Sequence, residues 1–213
     1  MKNLQSTLVD SHAHLDAKPY TTDLDEVIAR AKEKRVAYIL TVGCDLESSR
    51  ASVDLAIRYP NLYASVGIHP HDASLVNDQA MAELARMIES TDKVVAVGET
   101  GLDFYRDRSP RDQQKAAFRR HIQLAKDTGK PLIIHDRDAH DDVVRIMREE
   151  KACEAGGVLH CFSGDLKMAR QCAEMGFYIS FAGPLTYPKN ETLRSIAQAL
   201  SVDIMLVETD CPY

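Results

Sequence analysis

The sequence lacks the features that mark secreted, disulfide-stabilised or membrane-inserted proteins. Its 5 cysteines are widely scattered and no two form a CxxC pair, which excludes a zinc-finger pattern and argues against a disulfide framework. No uninterrupted apolar run reaches the roughly eighteen residues that a membrane span needs. The N-terminus has no apolar signal core followed by a small-residue cleavage site. We therefore predict a cytoplasmic protein with reduced thiols and no membrane partner.

An excess of positive charge is also missing. The chain carries 26 basic and 32 acidic residues, and its net charge is −6. Because long-range attraction would not hold a polyanion here, any contact with nucleic acid must be local, through clustered Arg and Lys or through bound metal. Hydrophobic residues make up 45% of the 213 positions, enough for one sizeable core and too many for a disordered chain. The length favours a single domain over residues 1–213.

A regular alternation of short strands and longer helices is present. Eight β-rich runs are mostly continuous apolar stretches, as parallel strands buried on both faces require; they begin at Leu8, Val36, Leu62, Val94, Pro131, Gly157, Phe177 and Asp203. Amphipathic helical patterns lie between them. The helix after Arg108 has clear boundaries, which predict an N-cap at Ser109, a first helical residue at Pro110, a capping box with Asp112 and a C-terminal stop at Gly129.

Eight strands that alternate with seven helices predict an α/β fold, a (β/α)8 TIM barrel rather than a doubly wound sheet. The GxGxxG turn of a dinucleotide-binding sheet is missing after the first strand. The barrel lacks its eighth helix in this sequence, because the chain ends three residues after Asp210. Part of the outer surface of the eighth and first strands would then face water. We predict either a truncated copy of a longer chain or a seam that is covered by pairing with another molecule.

Metal-ligating residue types lie at the predicted C-terminal ends of five strands. The active site of such a barrel is built at that face. His12 and His14 are two residues apart on the first strand, so their side chains point to the same side. The other members of the set are Glu99, His135, His160 and Asp210. Four imidazoles and two carboxylates at one mouth are costly to bury unless they bind something, and a pair of divalent cations would satisfy them.

The sequence around these residues resembles the TatD family of metal-dependent deoxyribonucleases, within the amidohydrolase superfamily of barrels. The resemblance runs from about Val9 to Tyr213, in the order DSHAHLD, VGIHPH, GETGLDFY, PLIIHDRDA, GVLHCFSG, ISFAGPLTY and LVETDCPY. Members of the family usually continue for some tens of residues beyond the point where this sequence stops. The resemblance implies a 3′–5′ exodeoxyribonuclease that acts on DNA and uses magnesium.

The resemblance also implies how two metal ions would be held. One ion would be bound by His12, His14, Glu99 and Asp210, and the second by Glu99, His135 and His160, so that Glu99 bridges them. The ligand types themselves leave Zn²⁺ and Mn²⁺ open as alternatives to Mg²⁺. Two adjacent cations can bind a scissile phosphate, generate hydroxide from water and stabilise the leaving oxygen.

Catalytic and substrate-binding roles are assigned less directly. Asp210 is the best candidate to orient and deprotonate the attacking water; the alternative is that it serves only as a metal ligand. Glu99 would contribute to catalysis by bridging the two ions. His69 and His71 follow the third strand and could contact substrate, or could hydrogen-bond within their loop. Arg137, two residues after His135, is the best single phosphate contact.

Other polar residues of the same loops have two interpretations each. Asp103 could orient a ligand imidazole or cap a turn. The basic stretch from Arg106 to Arg120 could meet a DNA backbone or form a solvated helix face. His121 and His140 lie on predicted helices and are assigned to the surface.

Two alternatives to a nuclease remain at this point. The same activated water attacks a carbonyl carbon as readily as phosphorus, so the chain could hydrolyse amides, esters or lactones of small molecules. A non-catalytic metal-binding barrel is the other alternative, should the missing C-terminal segment be needed for activity. The sequence leaves the oligomeric state open.

Overall fold

Eight parallel strands form one sheet in the computed structural model, which describes residues 7–213. Each strand pairs with the next one along the chain. The strands are β1 (Leu8–Ala13), β2 (Val36–Val42), β3 (Leu62–Val66), β4 (Val94–Asp103), β5 (Leu132–Arg137), β6 (Gly157–Leu159), β7 (Phe177–Phe181) and β8 (Met205–Val207). Every predicted strand is present, and each begins within two residues of its predicted start.

One α-helix follows each of the first seven strands. The helices are α1 (Leu24–Glu33), α2 (Leu46–Arg58), α3 (Asp78–Ser90), α4 (Arg111–Thr128), α5 (His140–Glu149), α6 (Leu166–Glu174) and α7 (Glu191–Ala199). The predicted (β/α)8 architecture is therefore confirmed. None of the helices within residues 7–213 is long and apolar enough to cross a membrane.

The sheet nearly closes at the C-terminal ends of its strands. The N–H of Asp210 donates to the carbonyl of His12 at 2.9 Å, and the N–H of His14 donates to the carbonyl of Cys211 at 2.8 Å. These bonds join the segment after β8 to the end of β1. Closure brings the ends of all eight strands around one mouth, which is where the predicted ligand residues lie.

Two groups of buried apolar residues stabilise the barrel. The larger group joins the sheet to its helices and includes Phe118 and Ile122 of α4, both fully buried. The smaller group consists of strand residues alone, which places it inside the barrel: Val42, Ala96, Ile133 and Val158. Side chains therefore fill the bore below the mouth, as in other barrels of eight strands.

The start of α4 differs from the prediction, whereas its end agrees. The helix begins at Arg111, with Pro110 at the N-cap and no capping side chain. Ser109 is buried, and its hydroxyl donates instead to the carbonyl of His71 at 2.7 Å. A buried carbonyl needs a donor more than an exposed helix end does. Gly129 ends the helix in the left-handed conformation at φ 63°.

The surface assignment of His121 is wrong. The side chain is fully buried on the core face of α4. Its Nε2 accepts the N–H of Ile68 at 3.0 Å, and its Nδ1 donates to the carbonyl of Ala117 at 2.8 Å. Burial lowers the pKa of His121 to about 4. His140, the other helix histidine, is partly exposed and bonds to Asp136.

We expect His121 to make folding sensitive to acid. Its folded-state pKa of about 4 lies below the ordinary value of 6.5, so the unfolded chain takes up a proton first as the pH falls. The stability that neutral His121 contributes above pH 6.5 is therefore lost as the pH falls towards 4. Between pH 7 and 4.5, the wild type should lose on the order of 2 kcal/mol more unfolding free energy than His121→Gln.

Urea unfolding of both proteins at the two pH values measures this difference. Glutamine can still accept from Ile68 and donate to Ala117 but does not titrate, and all other titratable groups are shared. An identical pH dependence in wild type and variant would remove His121 from the acid response.

Exposed apolar side chains lie on β1 and β8, where the sequence predicts an uncovered seam. Leu8 is 47% exposed, Val9 52% and Val207 57%. The prediction that further chain or another molecule covers this seam stays a prediction, as does the single-domain organisation of residues 1–213. Residues 1–6 lie outside the described part of the chain.

Candidate metal centre

Glu99 lies at the centre of the mouth, with its two carboxylate oxygens facing different histidines. It is carried by β4 and is almost completely buried. Its Oε2 lies 3.5 Å from Nε2 of His12 and 3.8 Å from Nε2 of His14. Its Oε1 lies 2.8 Å from Nδ1 of His135 and 2.7 Å from Nε2 of His160. One carboxylate therefore joins two groups of nitrogen donors.

The first group combines two imidazoles with two carboxylates. Nε2 of His12 and Nε2 of His14 are 3.1 Å apart. Asp210 Oδ1 lies 3.7 Å from the former and 3.5 Å from the latter. Metal–ligand bonds of about 2.0–2.2 Å at angles near 90–110° separate neighbouring donors by about 3.0–3.6 Å. His12, His14 and Glu99 present ligand atoms close enough to share an ion, and Asp210 lies beside the two histidines.

The second group surrounds the other oxygen of Glu99. Nδ1 of His135 and Nε2 of His160 are 3.2 Å apart. His69, which the sequence analysis assigned to substrate contact, is buried, and its Nε2 lies 3.5 Å from Glu99 Oε1. His69, Glu99 and His135 present ligand atoms close enough to share an ion. The structure thus brings His69 among the candidate ligands as well.

Glu208 belongs to the site, although it was not predicted from the sequence. It is buried, and its Oε1 lies 3.4 Å from Nδ1 of His160. The N–H of Cys161 donates to Oε1 at 2.6 Å, and the Ser180 hydroxyl donates to Oε2 at 2.5 Å. His12, His160 and Glu208 form a third group of clustered ligand atoms. The signal was available, because Glu208 lies two residues before Asp210, as His12 lies two before His14.

The electrostatics of the buried donors suit a cation. Burial lowers the pKa of His12, which favours its neutral form and keeps a lone pair on the ring. Burial opposes ionisation of Glu99, but the neighbouring His160 and His69 outweigh it and hold the pKa of this carboxyl well below its usual value. The His12 Nδ1 atom has no hydrogen-bond partner among the described residues. Burial opposes protonation of His14, His135 and His160, but the neighbouring carboxylates outweigh it and raise the pKa of each ring. A cation bound there would replace those protons, and imidazole nitrogens with carboxylate oxygens are the donor set of Zn²⁺, Mn²⁺ and, through oxygen, Mg²⁺.

Asp103 connects two histidines at the edge of the site. It is buried, and its Oδ2 lies 2.8 Å from Nε2 of His71 and 3.2 Å from Nε2 of His135. Its Oδ1 accepts the N–H of Arg106 at 2.7 Å. Asp103 therefore makes the contacts of both roles considered for it, one with an imidazole and one with a backbone N–H of a turn. Gly101 makes this approach possible, because at φ 140° a Cβ there would lie 2.0 Å from the carbonyl oxygen of His135. His71 therefore bonds to Asp103, and its ring packs against that of His69 with the ring centroids 4.2 Å apart.

The basic stretch divides at Pro110. Beyond it, the cations of α4 form ion pairs with carboxylates, namely Arg111 with Asp107, Lys115 with Asp142, Arg119 with Glu149 and Glu150, and Arg120 with Asp78. This part of the stretch is a salt-bridged helix face. Arg137 is exposed and lines a cavity of about 470 Å³ together with His135, His160 and Asp210.

Comparisons with known proteins identify the family of this chain. The sequence model of TatD-related DNases matches residues 9–213. The chain is 44% identical over 206 residues to the uncharacterized metal-dependent hydrolase YabD of Bacillus subtilis, covering 97% of this chain and 80% of that protein. It is 36% identical over 207 residues to the 3′-5′ ssDNA/RNA exonuclease TatD of Cronobacter turicensis, covering 97% and 78%.

Solved structures give the same result. The crystal structure of YjjV, a TatD homologue from Escherichia coli, superposes with a TM-score of 0.90 at 32% identity and covers 96% of this chain and 79% of that one. The hydrolase of the TatD family from Entamoeba histolytica superposes with a TM-score of 0.88 at 25% identity, covering 98% and 75%. The chain belongs to the family of TatD-related DNases.

Proposed function

We propose that the chain is a divalent-metal-dependent phosphodiesterase that removes nucleotides from the 3′ end of DNA. The observation that carries the proposal is the orientation of the Glu99 carboxylate. Its Oε2 faces the donor group of His12, and its Oε1 faces the donor group of His135. A carboxylate shared in this way would hold two ions side by side, and such a pair would supply the chemistry of two-metal phosphodiester hydrolysis. The relative from Cronobacter turicensis, named a 3′-5′ ssDNA/RNA exonuclease, supports the choice of substrate.

Each ion has a proposed set of ligands. His12, His14, Asp210 and Oε2 of Glu99 would hold the first, and His135, His160 and Oε1 of Glu99 the second. Family membership favours Mg²⁺, whereas the number of imidazoles also suits Mn²⁺ or Zn²⁺. When bound, such a pair polarises the scissile phosphate and lowers the pKa of a water molecule.

The remaining chemistry belongs to side chains of this chain. Asp210 is the more accessible of the two catalytic carboxylates, since its side chain is 22% exposed against 4% for Glu99. It also lines the cavity that substrate would enter. Asp210 is therefore placed to orient a water molecule and to accept its proton. Asp103, which bonds to Nε2 of His135, and Glu208, whose Oε1 lies 3.4 Å from Nδ1 of His160, would orient these two rings from the side opposite Glu99.

A metal-stripped preparation tests this function directly. It is reconstituted with Mg²⁺, Mn²⁺ or Zn²⁺ and offered single-stranded DNA and a panel of carboxylic esters. Release of mononucleotides from the 3′ end with at least one metal is the expected result. Ester turnover without DNA turnover would identify a small-molecule hydrolase, and no turnover by protein that has bound metal would identify a non-catalytic barrel.

The two histidines of the second group should act as a unit. We expect His135→Ala and His160→Ala each to lose activity mainly through the second ion, so that the double variant is little worse than either single one. Rates of strand hydrolysis and metal content are measured for all three variants. Fully multiplicative losses would show that the two rings have separate roles.

A further inference from the structure

Arg137 is an exposed cation at the mouth without a carboxylate partner. Among residues 7–213 it forms no ion pair, unlike the arginines of α4. It follows His135 on β5 and lines the same cavity as His160 and Asp210. In a chain with a net charge of −6, an unpaired arginine beside the candidate metal donors is a local attraction for an anionic substrate.

The guanidinium of Arg137 stacks on an aromatic ring. Its Cζ lies 4.1 Å from the ring centroid of Tyr105, which is itself 58% exposed. The N–H of Phe104 donates to the carbonyl of Arg137 at 2.9 Å, so the backbone ties the two partners together. The two stacked side chains therefore lie at the C-terminal ends of β4 and β5, the strands that carry Glu99 and His135.

We propose that Arg137 and Tyr105 form a stacking platform for a nucleobase that flanks the scissile linkage. The proposal rests on the proposed nuclease function and adds to it the recognition of a base. Guanidinium planes and aromatic rings both stack on nucleobases without regard to sequence.

The surroundings make strand binding depend on this platform. The cavity at the metal centre shares Ser163, Gly164 and Thr192 with a neighbouring cavity of about 740 Å³. Four aspartates line that cavity together with Arg111 and Lys167. Mixed charge attracts a phosphate backbone weakly. Stacking beside the metal centre must therefore supply much of the affinity for the end of the strand.

Two substitutions remove the platform in different ways. Arg137→Lys keeps the charge but loses the planar stack, and Tyr105→Leu keeps apolar bulk but loses the ring. Tyr105→Phe retains the ring. Arg86→Lys is the matched control, because Arg86 on α3 is exposed, forms no ion pair among residues 7–213 and does not line either cavity. Melting temperature and metal content are measured for every variant.

The probes are two single strands with phosphorothioate linkages that resist cleavage, identical except that one lacks the bases of its two 3′-terminal nucleotides. Binding to metal-loaded protein is followed by fluorescence anisotropy. We expect the wild type, Tyr105→Phe and Arg86→Lys to bind the complete strand about tenfold more tightly than the abasic one, the size of one base stack. Arg137→Lys and Tyr105→Leu should bind both strands alike.

A second readout reports stacking itself. A 2-aminopurine at the 3′ end should be quenched on binding to the wild type and less quenched with Arg137→Lys or Tyr105→Leu. An unchanged preference and unchanged quenching in both variants would overturn the platform, as would a wild type that does not distinguish the two strands. Binding with base preference but no cleavage of ordinary DNA would overturn the nuclease function alone.

Discussion

Replacement of Glu99 by alanine is expected to release both metal ions and to lower the rate of hydrolysis by several orders of magnitude. A loss of that size is what the metal contribution to water activation amounts to. Glu99 contacts both donor groups, with its carboxylate oxygens 3.5 Å from His12 and 2.8 Å from His135. Its removal takes a ligand from each site and leaves facing imidazoles without the charge that balances a cation. Metal analysis of the purified variant and the rate of 3′-end hydrolysis measure the two effects.

Glu83→Ala provides the matched comparison, because Glu83 is a glutamate whose contact is an ion pair with Arg50 on the surface, remote from the mouth. It should keep two ions and full activity. Glu99→Gln retains one carbonyl oxygen and should keep no more than one ion. A folded Glu99→Ala protein that still binds two ions and hydrolyses DNA would disprove the bridge.

Asp210→Asn is expected to keep metal while losing about 10²- to 10⁴-fold in rate, the usual contribution of a general base. The amide oxygen can still lie near His12 and His14, where Asp210 Oδ1 lies at 3.7 and 3.5 Å. The amide cannot accept a proton from water. Single-turnover rates and metal content separate proton transfer from metal binding.

Either of two outcomes would change the role of Asp210. An Asn variant with a rate near that of the wild type would make Asp210 a ligand alone. A variant that loses the first ion would show that the negative charge, rather than the proton acceptor, is what the site requires.

The strands could be predicted from the sequence because their chemistry is local. Runs such as the one from Val94 are apolar and end in polar residues, and parallel pairing of neighbours follows from the helices between them. The surface assignment of His121 rests on its helical position alone, which does not define the face of the helix that the residue occupies. It lies three residues after Phe118 and one before Ile122, on the buried face of α4, where the N–H of Ile68 needs an acceptor.

The candidate site could be predicted as a set of residues but not as an arrangement. Strand ends converge in a barrel, so His12, Glu99 and His135 were expected at one mouth. Two features of the arrangement depend on side-chain rotamers, which the spacing of residues does not encode. One is that the two oxygens of Glu99 face different histidines, and the other is that His71 and His135 share Asp103. Glu208 was missed although the two-residue period that joins His12 to His14 applies to it as well.

Anomalous scattering from a crystal of the wild type soaked in Mn²⁺ is the most direct test of two ions joined by one carboxylate. Two peaks per chain are expected, one on each side of Glu99. The first should lie between Oε2 and the nitrogens of His12 and His14, and the second between Oε1 and those of His135 and His160. A single peak, or peaks that do not contact Glu99, would contradict the account.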